Sequence, residues 1–447
     1  MVLEIKKKVR EKILKEIEPT KYEHNLTYEV LKDFKEELLN RAHQLGINIE
    51  IIEGGSFGKG TYLRGDFDID LFIRFPLEWR DYDISEKLKN ILDKGKISYS
   101  IEKGSRNYYT VKKRKKGYLF TLECVPVLEI DNFDDVYTST DYSPAHVKFV
   151  SDKILENPIL AQEIRLGKQF FKAQGLYGAE SYLSGFSGHV LEILIIFYGS
   201  LENLLNEARN WEENAFVDIN GVYKDLEEAK LYITEEKISK LVVVDPINHL
   251  RNAASALSDD MFSKLIVISG IKDELDDTDF KLEKINCKKF ISMSKKFAKK
   301  YGFYFISYYF KISLKETSKD IVASKIEKFS RSLEYKMQNE NFRVFRRDFH
   351  VNFSNTEICV CYMLENVKTP GIRIIEGPKV TDNDSVKKFL SGVDSWNWYV
   401  LGERIYKYKE KEVKEVTQIL PKSVKEIEKF RNKDMNFLTK INFEKNF

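Results

Sequence analysis

A short alternating segment, Asp66 to Phe75, constrains the fold of this chain more than any other feature. Every odd-numbered position in it is apolar, which predicts a strand with one buried face, because side chains alternate between the two faces of a strand. Asp68 and Asp70 then share the opposite face, about 7 Å apart. Two carboxylates at that spacing repel each other unless a cation lies between them. The segment predicts a divalent metal site and phosphoryl or nucleotidyl transfer, although the acidic face of an ordinary solvated strand shows the same pattern.

A glycine-rich segment, residues 53–61, comes shortly before these aspartates. It contains four glycines, Ser56 and Lys59, and it follows the largely apolar segment 47–52, which predicts another strand. The order of strand, glycine-rich turn and Asp-x-Asp strand is typical of a phosphate-binding turn that faces a metal site. A Walker A loop is excluded, because glycine follows the lysine where Ser or Thr is needed and glutamate stands at the first required glycine.

Gly55-Ser56 followed by Asp68 and Asp70 resembles the signature of the DNA polymerase beta nucleotidyltransferase superfamily. The resemblance implies that the Gly-Ser turn holds a nucleoside triphosphate. It also implies two Mg²⁺ ions, shared by the two aspartates and a third carboxylate on a later strand.

Glu123 is the candidate for that third carboxylate. It lies in segment 118–126, where alternate residues from Tyr118 to Cys124 form the predicted buried face of a strand and Glu123 points to the other face. Related enzymes usually carry aspartate at this place, and the extra methylene of glutamate moves the carboxylate by about 1.5 Å.

Size and composition indicate a large multidomain enzyme. The 447 residues exceed one hydrophobic core, so two to four domains are expected. No run of about 18 apolar residues and no signal peptide is visible, so we expect a cytoplasmic protein with no membrane contact. Four cysteines and six histidines show no disulfide, zinc or His-x-x-x-His spacing, which leaves oxygen ligands and therefore magnesium or manganese.

Charge is locally clustered rather than uniformly basic. Lysine plus arginine number 73 against 70 aspartate plus glutamate, for a net charge of +3. The cluster at residues 112–116 lies between two predicted strands, so it is either a solvated hairpin tip or a contact for RNA phosphates.

Hydrophobic periodicity predicts an α+β multidomain chain. Predicted helices cover residues 2–17, 27–45, 158–175, 186–209 and 318–337, and further strands cover 118–127, 304–310, 345–353 and 356–364. The expected domains are a nucleotidyltransferase head with a mixed sheet (residues 1–142), a mainly helical central nucleotide-binding domain (143–275) and an α+β RNA-binding C-terminal region (276–447).

Motifs in the middle region and the C-terminal part of the chain closely resemble archaeal-type (class I) CCA-adding enzymes, which are tRNA nucleotidyltransferases of the same superfamily. These motifs are Lys172–Glu180, Gly185–Gly188 with Phe197–Ser200, Val243–Pro246 with Arg251-Asn252, and Glu376-Gly377-Pro378. The resemblance covers essentially the whole chain.

The resemblance implies a role in nucleotide binding for a set of residues beside the carboxylates. Its members are Gly55, Ser56 and Lys59 from the glycine-rich turn, His146, Lys168 and Tyr177 at the nucleotide, its phosphates and its sugar, and Arg251 in the choice of cytosine or adenine. From the residues alone, Lys168 also fits a surface lysine, Tyr177 a packing residue, His146 a satisfied interior histidine and Arg251 an ion pair with Asp245.

The implied activity is template-independent addition of C, C and A to the 3′ end of tRNA, with CTP and ATP as substrates and two Mg²⁺ ions as cofactors. The C-terminal region is expected to bind the tRNA acceptor and TΨC arm, and the family forms homodimers. Two alternatives remain open: another enzyme of the superfamily, such as a poly(A) polymerase or an oligonucleotide synthetase, or an inactive RNA-binding protein.

Overall fold

The computed structural model describes residues 3–104, 106–130, 138–283, 285–313, 318–431, 435 and 438–446. The chain divides into two compact units, residues 1–283 and residues 284–447. Every residue of the predicted site belongs to the first unit. The predicted domain boundaries after residues 142 and 275 stay predictions.

The first unit contains both strands and helices, as predicted. Its strands are β1 (Glu4–Ile5), β2 (Glu50–Glu53), β3 (Asp68–Phe75), β4 (Tyr99–Lys103), β5 (Asn107–Lys115), β6 (Tyr118–Leu128), β7 (Ala215–Val217), β8 (Leu241–Val243) and β9 (Glu274–Leu275). Its α-helices are α1 (Lys7–Ile17), α2 (Lys21–Gln44), α3 (Gly55–Gly58), α4 (Ile84–Lys94), α5 (Ser143–Glu156), α6 (Ile159–Ala173), α7 (Gly188–Tyr198), α8 (Leu201–Ala208), α9 (Leu226–Ala229) and α10 (Asp259–Gly270).

Five of these strands form one mixed sheet, in the order β2-β3-β6-β5-β4. The central strands β3 and β6 run parallel, and the other neighbouring pairs run antiparallel. Helices α2 and α4 pack on the sheet through a shared core that includes Phe34, Leu38 and Leu88. The predicted mixed sheet with helices is therefore confirmed.

Strand β3 shows the alternation that the sequence predicts. Ile69, Leu71, Ile73 and Phe75 are fully buried, whereas the carboxylate residues between them are more exposed. The strand begins at residue 68 and not at residue 66: a turn at residues 64–65 is followed by two residues outside any element.

Helix α2 begins six residues earlier than the periodicity predicts. Thr20 caps it by accepting a hydrogen bond from the Glu23 backbone N–H, and the Glu23 carboxylate accepts one from the Thr20 backbone N–H. This reciprocal pair satisfies two donors that a helix start otherwise leaves unpaired. Local capping therefore decides where the helix begins.

The predicted helix from residue 2 to residue 17 is wrong at its first turn. Glu4 and Ile5 form strand β1, which pairs in parallel with Glu274 and Leu275 of β9, and α1 starts only at Lys7. Long-range pairing with a segment some 270 residues away overrides the local helical pattern here.

The predicted single helix over residues 186–209 is also wrong. The chain forms two helices, α7 and α8, which meet at an angle of 93°. Gly199 ends α7 in the left-handed region with φ of 85°, and the Ser200 side chain caps α8. No single helix within the described residues is long and apolar enough to span a membrane, and only this bent pair has enough apolar length when its two helices are taken together.

The lysine cluster at residues 112–116 lies on β5 and the turn into β6, as expected for a hairpin. Lys113 pairs with Glu37 of α2 at 3.1 Å, and Lys115 pairs with Asp33 of the same helix at 3.0 Å. These two ammonium groups therefore already have carboxylate partners within the first unit.

The second unit is an α+β structure, as predicted. Its strands are β10 (Tyr304–Ile312), β11 (Val344–Asn352), β12 (Glu357–Leu364), β13 (Ile372–Lys379), β14 (Trp398–Leu401), β15 (Arg404–Glu410) and β16 (Leu438–Asn446), and its α-helices are α11 (Cys287–Tyr301), α12 (Lys319–Asn339), α13 (Asn383–Leu390) and α14 (Val424–Arg431). A four-stranded antiparallel sheet has the order β11-β12-β10-β16, and β13-β15-β14 form a second sheet. Cys359 and Cys361 are buried free thiols on one face of β12, which agrees with a structural role.

Replacement of Gly199 by alanine is expected to destabilise the first unit by about 1–2 kcal/mol, because a β-carbon disfavours the left-handed backbone at this helix end. Gly270→Ala is the matched control. Gly270 ends α10 with a helical backbone, and an added β-carbon would meet nothing within 4 Å, so this change is expected to be neutral or slightly stabilising. Urea unfolding of both variants measures the difference, and equal effects would contradict the assignment of the bend to Gly199.

Candidate active site

Three predicted carboxylates lie on one face of the mixed sheet. Asp70 of β3 is in direct register with Glu123 of the parallel neighbour β6, and Asp68 lies two residues earlier on the same face of β3. Neighbouring strands lie about 4.8 Å apart, so the Asp70 and Glu123 side chains leave the sheet side by side. The sheet thus brings together two acids that are 53 positions apart in the sequence.

The electrostatics of Asp70 fit a cation-binding position. Burial raises the pKa of Asp70, and nearby Asp68 and Asp66 raise it further, whereas Lys59 lowers it. A partly desolvated carboxylate beside other carboxylates is stabilised when a cation shares their oxygens. Oxygen-only ligands of this kind suit Mg²⁺, so the residues present fit the expected metal.

Gly55 occupies a position that no other residue fits. Its φ is 56°, and an added β-carbon would lie 1.6 Å from the Asp70 Oδ2 atom. The predicted glycine-rich turn is in fact the one-turn helix α3, and Gly54 at its start donates a backbone hydrogen bond to the Asp70 carbonyl at 2.8 Å. The Gly-Ser segment is therefore held directly against the acidic strand.

A pocket of about 450 Å³ opens beside these groups. Its lining includes six of the predicted site residues, which are Gly55, Lys59, Asp70, Glu123, His146 and Arg251. The other four predicted residues, Ser56, Asp68, Lys168 and Tyr177, lie outside that lining. The predicted roles of all ten remain predictions.

Lys168 is buried, so the reading of it as a surface lysine is wrong. Its side chain is only 4% exposed, and its Nζ donates to Glu192 Oε1 at 2.8 Å and to Thr61 Oγ1 at 2.9 Å. Lys59 Nζ donates to the other oxygen of Glu192 at 2.6 Å. One carboxylate on α7 therefore joins the loop after α3 to helix α6.

Sequence reasoning did not assign Glu192 to the site. The available signal is its position as the only acidic residue in the apolar segment 190–198. Burial alone would raise the pKa of Glu192, but Lys168 and Lys59 lower it to about 2. The side chain is therefore ionised at neutral pH, as the partner of the buried Lys168 ammonium and of the partly buried Lys59 ammonium.

Tyr177 lies where the chain leaves α6 and forms an isolated bridge with Phe186. Its ring contacts the Lys172 ammonium at 5.2 Å, and an added β-carbon at Gly188 would come within 2.7 Å of its hydroxyl oxygen. Burial, followed by Glu192 and then Asp66, raises the pKa of Tyr177. The tyrosine is packed against the start of α7. Its hydroxyl lies close enough to the acidic strand for the charges of Asp66 and Asp70 to raise its pKa.

A second buried carboxylate, Asp245, organises the opposite part of the pocket. Its Oδ1 accepts from His146 Nε2 at 2.8 Å, and its Oδ2 accepts from Arg251 Nη1 at 2.8 Å. The ion pair that the sequence suggested for Arg251 is thus present, and His146 has a partner. Burial would raise the pKa of Asp245, but His146 and His189 lower it well below its usual range.

His189 was not identified from the sequence. It lies 43 positions after His146, yet the fold brings the two rings to a centroid distance of 4.4 Å. Local spacing of histidines holds no signal for such a pair, because the two residues lie on different helices, α5 and α7.

Comparisons with known proteins agree with this arrangement. Family models described as "Nucleotidyltransferase domain", "tRNA nucleotidyltransferase, second domain" and "CCA-adding enzyme, C-terminal domain" match residues 31–116, 162–280 and 302–437. The fold, the carboxylates and the pocket, together with these matches, define a multidomain nucleotidyltransferase.

Curated relatives narrow the class. The CCA-adding enzyme of Nanoarchaeum equitans is 31% identical over 323 residues, which cover 72% of this chain and 75% of that protein. The CCA-adding enzyme of Methanocaldococcus jannaschii is 29% identical over 87% of this chain and 84% of its own length, and that of Sulfolobus acidocaldarius is 34% identical over 56% and 55%. This chain belongs to the family of CCA-adding enzymes, and the predicted family is confirmed.

Gly55→Ala is expected to lower nucleotide incorporation by about a hundredfold, because the added methyl group displaces the Asp70 carboxylate. Gly60→Ala is the matched control, since Gly60 also has a positive φ, of 65°, but an added β-carbon there meets nothing within 4 Å. Steady-state kinetics and thermal unfolding of both variants separate the two effects. We expect both variants to lose a similar amount of stability, but only Gly55→Ala to lose most of its activity. Equal activities of Gly55→Ala and Gly60→Ala would contradict the steric argument.

Glu192→Gln is expected to destabilise the first unit by about 3 kcal/mol at pH 7, because it leaves buried Lys168 without its counter-ion. The folded-state pKa of about 2 lies below the ordinary value of 4.5. The carboxylate therefore stabilises the fold fully above about pH 4.5, and this contribution disappears as the pH falls towards about 2.

Urea unfolding over a pH series measures this difference between the variant and the native chain. Glu227→Gln is the control, because Glu227 is an exposed partner of Lys230 and its loss is expected to change stability by less than about 0.5 kcal/mol. A gap between native and Glu192→Gln proteins that stays constant from pH 7 to pH 2 would rule out an ionised Glu192.

Proposed function

We propose that this protein adds C, C and A in turn to the 3′ end of tRNA, using CTP and ATP without a nucleic-acid template and releasing pyrophosphate. The observation that carries the proposal is the in-register pair of Asp70 and Glu123 with Gly55 packed against it, in one pocket with Arg251. Membership of the CCA-adding family supports the choice of reaction.

Asp68, Asp70 and Glu123 are the proposed ligands of two Mg²⁺ ions. Ions held there would supply a lowered pKa for the attacking 3′-hydroxyl and charge neutralisation for the departing pyrophosphate. The register of β3 and β6 supports Glu123 as the third ligand despite its longer side chain, because Glu123 pairs directly with Asp70.

Ser56 and Lys59 are the proposed phosphate contacts. Lys59 lines the pocket, and among the described residues its ammonium group pairs with Glu192. An ammonium is a suitable point charge for phosphate. Lys168 reaches a phosphate only by exchanging its bonds to Glu192 and Thr61. It therefore supports the triphosphate site mainly by holding Glu192 in position, which in turn positions Lys59.

Tyr177 remains the proposed contact for the sugar.

Arg251 and His146 are the proposed contacts on the base side. A guanidinium carries several N–H donors in a fixed plane, which suits recognition of base acceptors. Asp245 holds one edge of Arg251, and the side chain is still 45% exposed. It is therefore oriented and accessible at the same time.

The second unit is proposed to bind the acceptor and TΨC arm of tRNA, by shape and backbone contacts as is usual for duplex RNA. A homodimer and a cytoplasmic location complete the proposal, both from the sequence resemblance and composition. Lys113 and Lys115 of β5 are weaker candidates for RNA contact, because Glu37 and Asp33 already pair with them.

The test uses three tRNA transcripts, ending before CCA, after C and after CC, each with Mg²⁺ and a single nucleotide. Addition of C, C and then A, with arrest at CCA, is the expected result. Unlimited adenylation would instead identify a poly(A) polymerase, and no incorporation would identify an inactive RNA-binding protein.

Asp70→Asn is expected to lower incorporation by about a hundredfold or more, because it removes a charge from the metal site. Asp81→Asn, at an exposed aspartate outside the pocket, is the matched control and is expected to retain native activity. Full activity of Asp70→Asn would refute the metal assignment.

A further inference from the structure

A second cavity of the first unit, of about 580 Å³, has aromatic walls. Its lining includes Tyr142, Tyr223, Tyr232 and His249, and we call it the aromatic cleft. Tyr142 directly precedes α5, and Tyr223 and Tyr232 lie on either side of the short helix α9. None of the ten predicted site residues lines this cleft.

The aromatic cleft presents large apolar side chains to solvent. Tyr232 is 58% exposed, Leu250 is 62% exposed and Val222 is 41% exposed, and all three line the cleft. Single exposed apolar residues are common on protein surfaces, but several around one concavity are typical of a binding site. The cleft therefore has the composition of a site that a ligand covers.

Hydrogen bonds within the protein hold the walls of the cleft in place. The Tyr223 hydroxyl donates to the His249 carbonyl at 3.0 Å, and Asn220 Nδ2 donates to the Pro246 carbonyl at 2.8 Å. The Tyr223 ring also stacks with the Tyr232 ring, with a centroid distance of 5.5 Å and an angle of 24° between the planes. Because these walls are already formed, a ligand would bind without first ordering them.

The cleft adjoins the base side of the active-site pocket at two places. The Tyr142 ring lies 6.4 Å from the ring of His146, which lines that pocket. The Asn248 backbone N–H, from the cleft lining, donates to Asp245, and the same carboxylate holds Arg251. A chain molecule that reacts in the pocket can therefore continue into the cleft.

The charge of the cleft suits a nucleotide base and not a phosphate. Among the described residues, its lining contains no lysine or arginine, and its one carboxylate belongs to Glu228. A carboxylate repels a phosphate, whereas tyrosine rings stack on the faces of unpaired bases of any sequence.

We propose that the aromatic cleft holds the unpaired base immediately before the 3′-terminal nucleotide of the RNA, stacked on Tyr232. This inference rests on the proposed function, because it takes the substrate to be an RNA whose 3′ end grows in the active-site pocket.

Growth of the RNA end explains why this base needs a place of its own. In the proposed function the 3′-hydroxyl lies at the three carboxylates and the incoming base lies at Arg251, so the preceding base lies outside both positions. In a tRNA that ends before CCA, the terminal nucleotide directly follows the acceptor duplex, and the preceding base is still paired. Once C has been added, the preceding base is single-stranded, and aromatic stacking is the usual way in which proteins hold such a base. The cleft therefore acts only after the first addition.

The test measures the KM for tRNA transcripts that end before CCA and after CC, each at saturating nucleotide. Tyr232→Ala is expected to raise the KM of the CC transcript about tenfold, the range of one lost base stack, and that of the shorter transcript by less than about twofold. Tyr232→Phe keeps the ring and is expected to retain the native KM for both transcripts. Tyr28→Ala removes an equally exposed tyrosine of α2 and is the matched control.

A CC transcript whose first C lacks its base gives the reciprocal change. The native chain is expected to show a KM about tenfold higher for this transcript, and Tyr232→Ala is expected to show no further increase, because both changes remove the same contact. Independent increases that multiply in the variant would mean that this base lies elsewhere, and would overturn the proposal.

Two other results would also overturn it. One is a native KM for the CC transcript in Tyr232→Ala, and the other is an equal rise for both transcripts, which would indicate a contact with the acceptor duplex. If Tyr232→Ala does not fold, Leu250→Ser gives the same comparison, because Leu250 is an exposed side chain of the same cleft.

The native chain is assayed first, so that the two levels of inference are separated. Failure of the native chain to extend any of the tRNA transcripts refutes the proposed function. Normal extension together with a native KM in Tyr232→Ala refutes only the role of the cleft.

Discussion

The candidate site depends on one buried carboxylate, Glu192, that holds two lysines at once. Lys59, from the loop after α3, donates to Glu192 Oε2, and Lys168, from α6, donates to Glu192 Oε1. The Thr61 hydroxyl also donates to Oε1, at 3.2 Å. Buried ion pairs contribute little net stability against apolar packing, but the loss of one partner is costly. The network therefore matters most for position, because it sets the distance between the glycine-rich segment and the helices that form the other wall of the pocket.

Asp245 is a second buried carboxylate that positions side chains, and it lies beside the same pocket. Glu192 orients ammonium groups beside the acidic strand, whereas Asp245 orients an imidazole and a guanidinium. Burial alone would raise the pKa of both acids, but lysines lower it for Glu192, and hydrogen-bonded histidines lower it for Asp245. In the proposed function, the charged phosphates and the neutral base of the nucleotide would meet two different sets of donors.

Local patterns in the sequence were sufficient wherever one strand or one helix decides the outcome. The alternation in β3 placed Asp68 and Asp70 on the exposed face correctly, and the alternation in β6 did the same for Glu123. Local patterns were not sufficient where a distant segment offers an alternative pairing partner or where a single residue ends a helix. The first turn of the predicted N-terminal helix became strand β1 because β9 supplies a pairing partner. The helix predicted across Gly199 broke there, because the apolar pattern continues through a residue whose left-handed backbone ends the helix.

The sequence by itself determined the chemistry that this protein carries: an acidic pair on a strand, a glycine that such a strand requires, and the motifs of a CCA-adding enzyme. Those features depend on neighbours within a few residues, and side-chain alternation and turn geometry act at that range. Only the tertiary structure decided which groups meet, such as Glu192 with Lys59 and Lys168, or His189 with Asp245. These partners lie on separate helices and loops, so their contacts follow from packing and charge balance in the folded unit and leave no periodic trace along the chain.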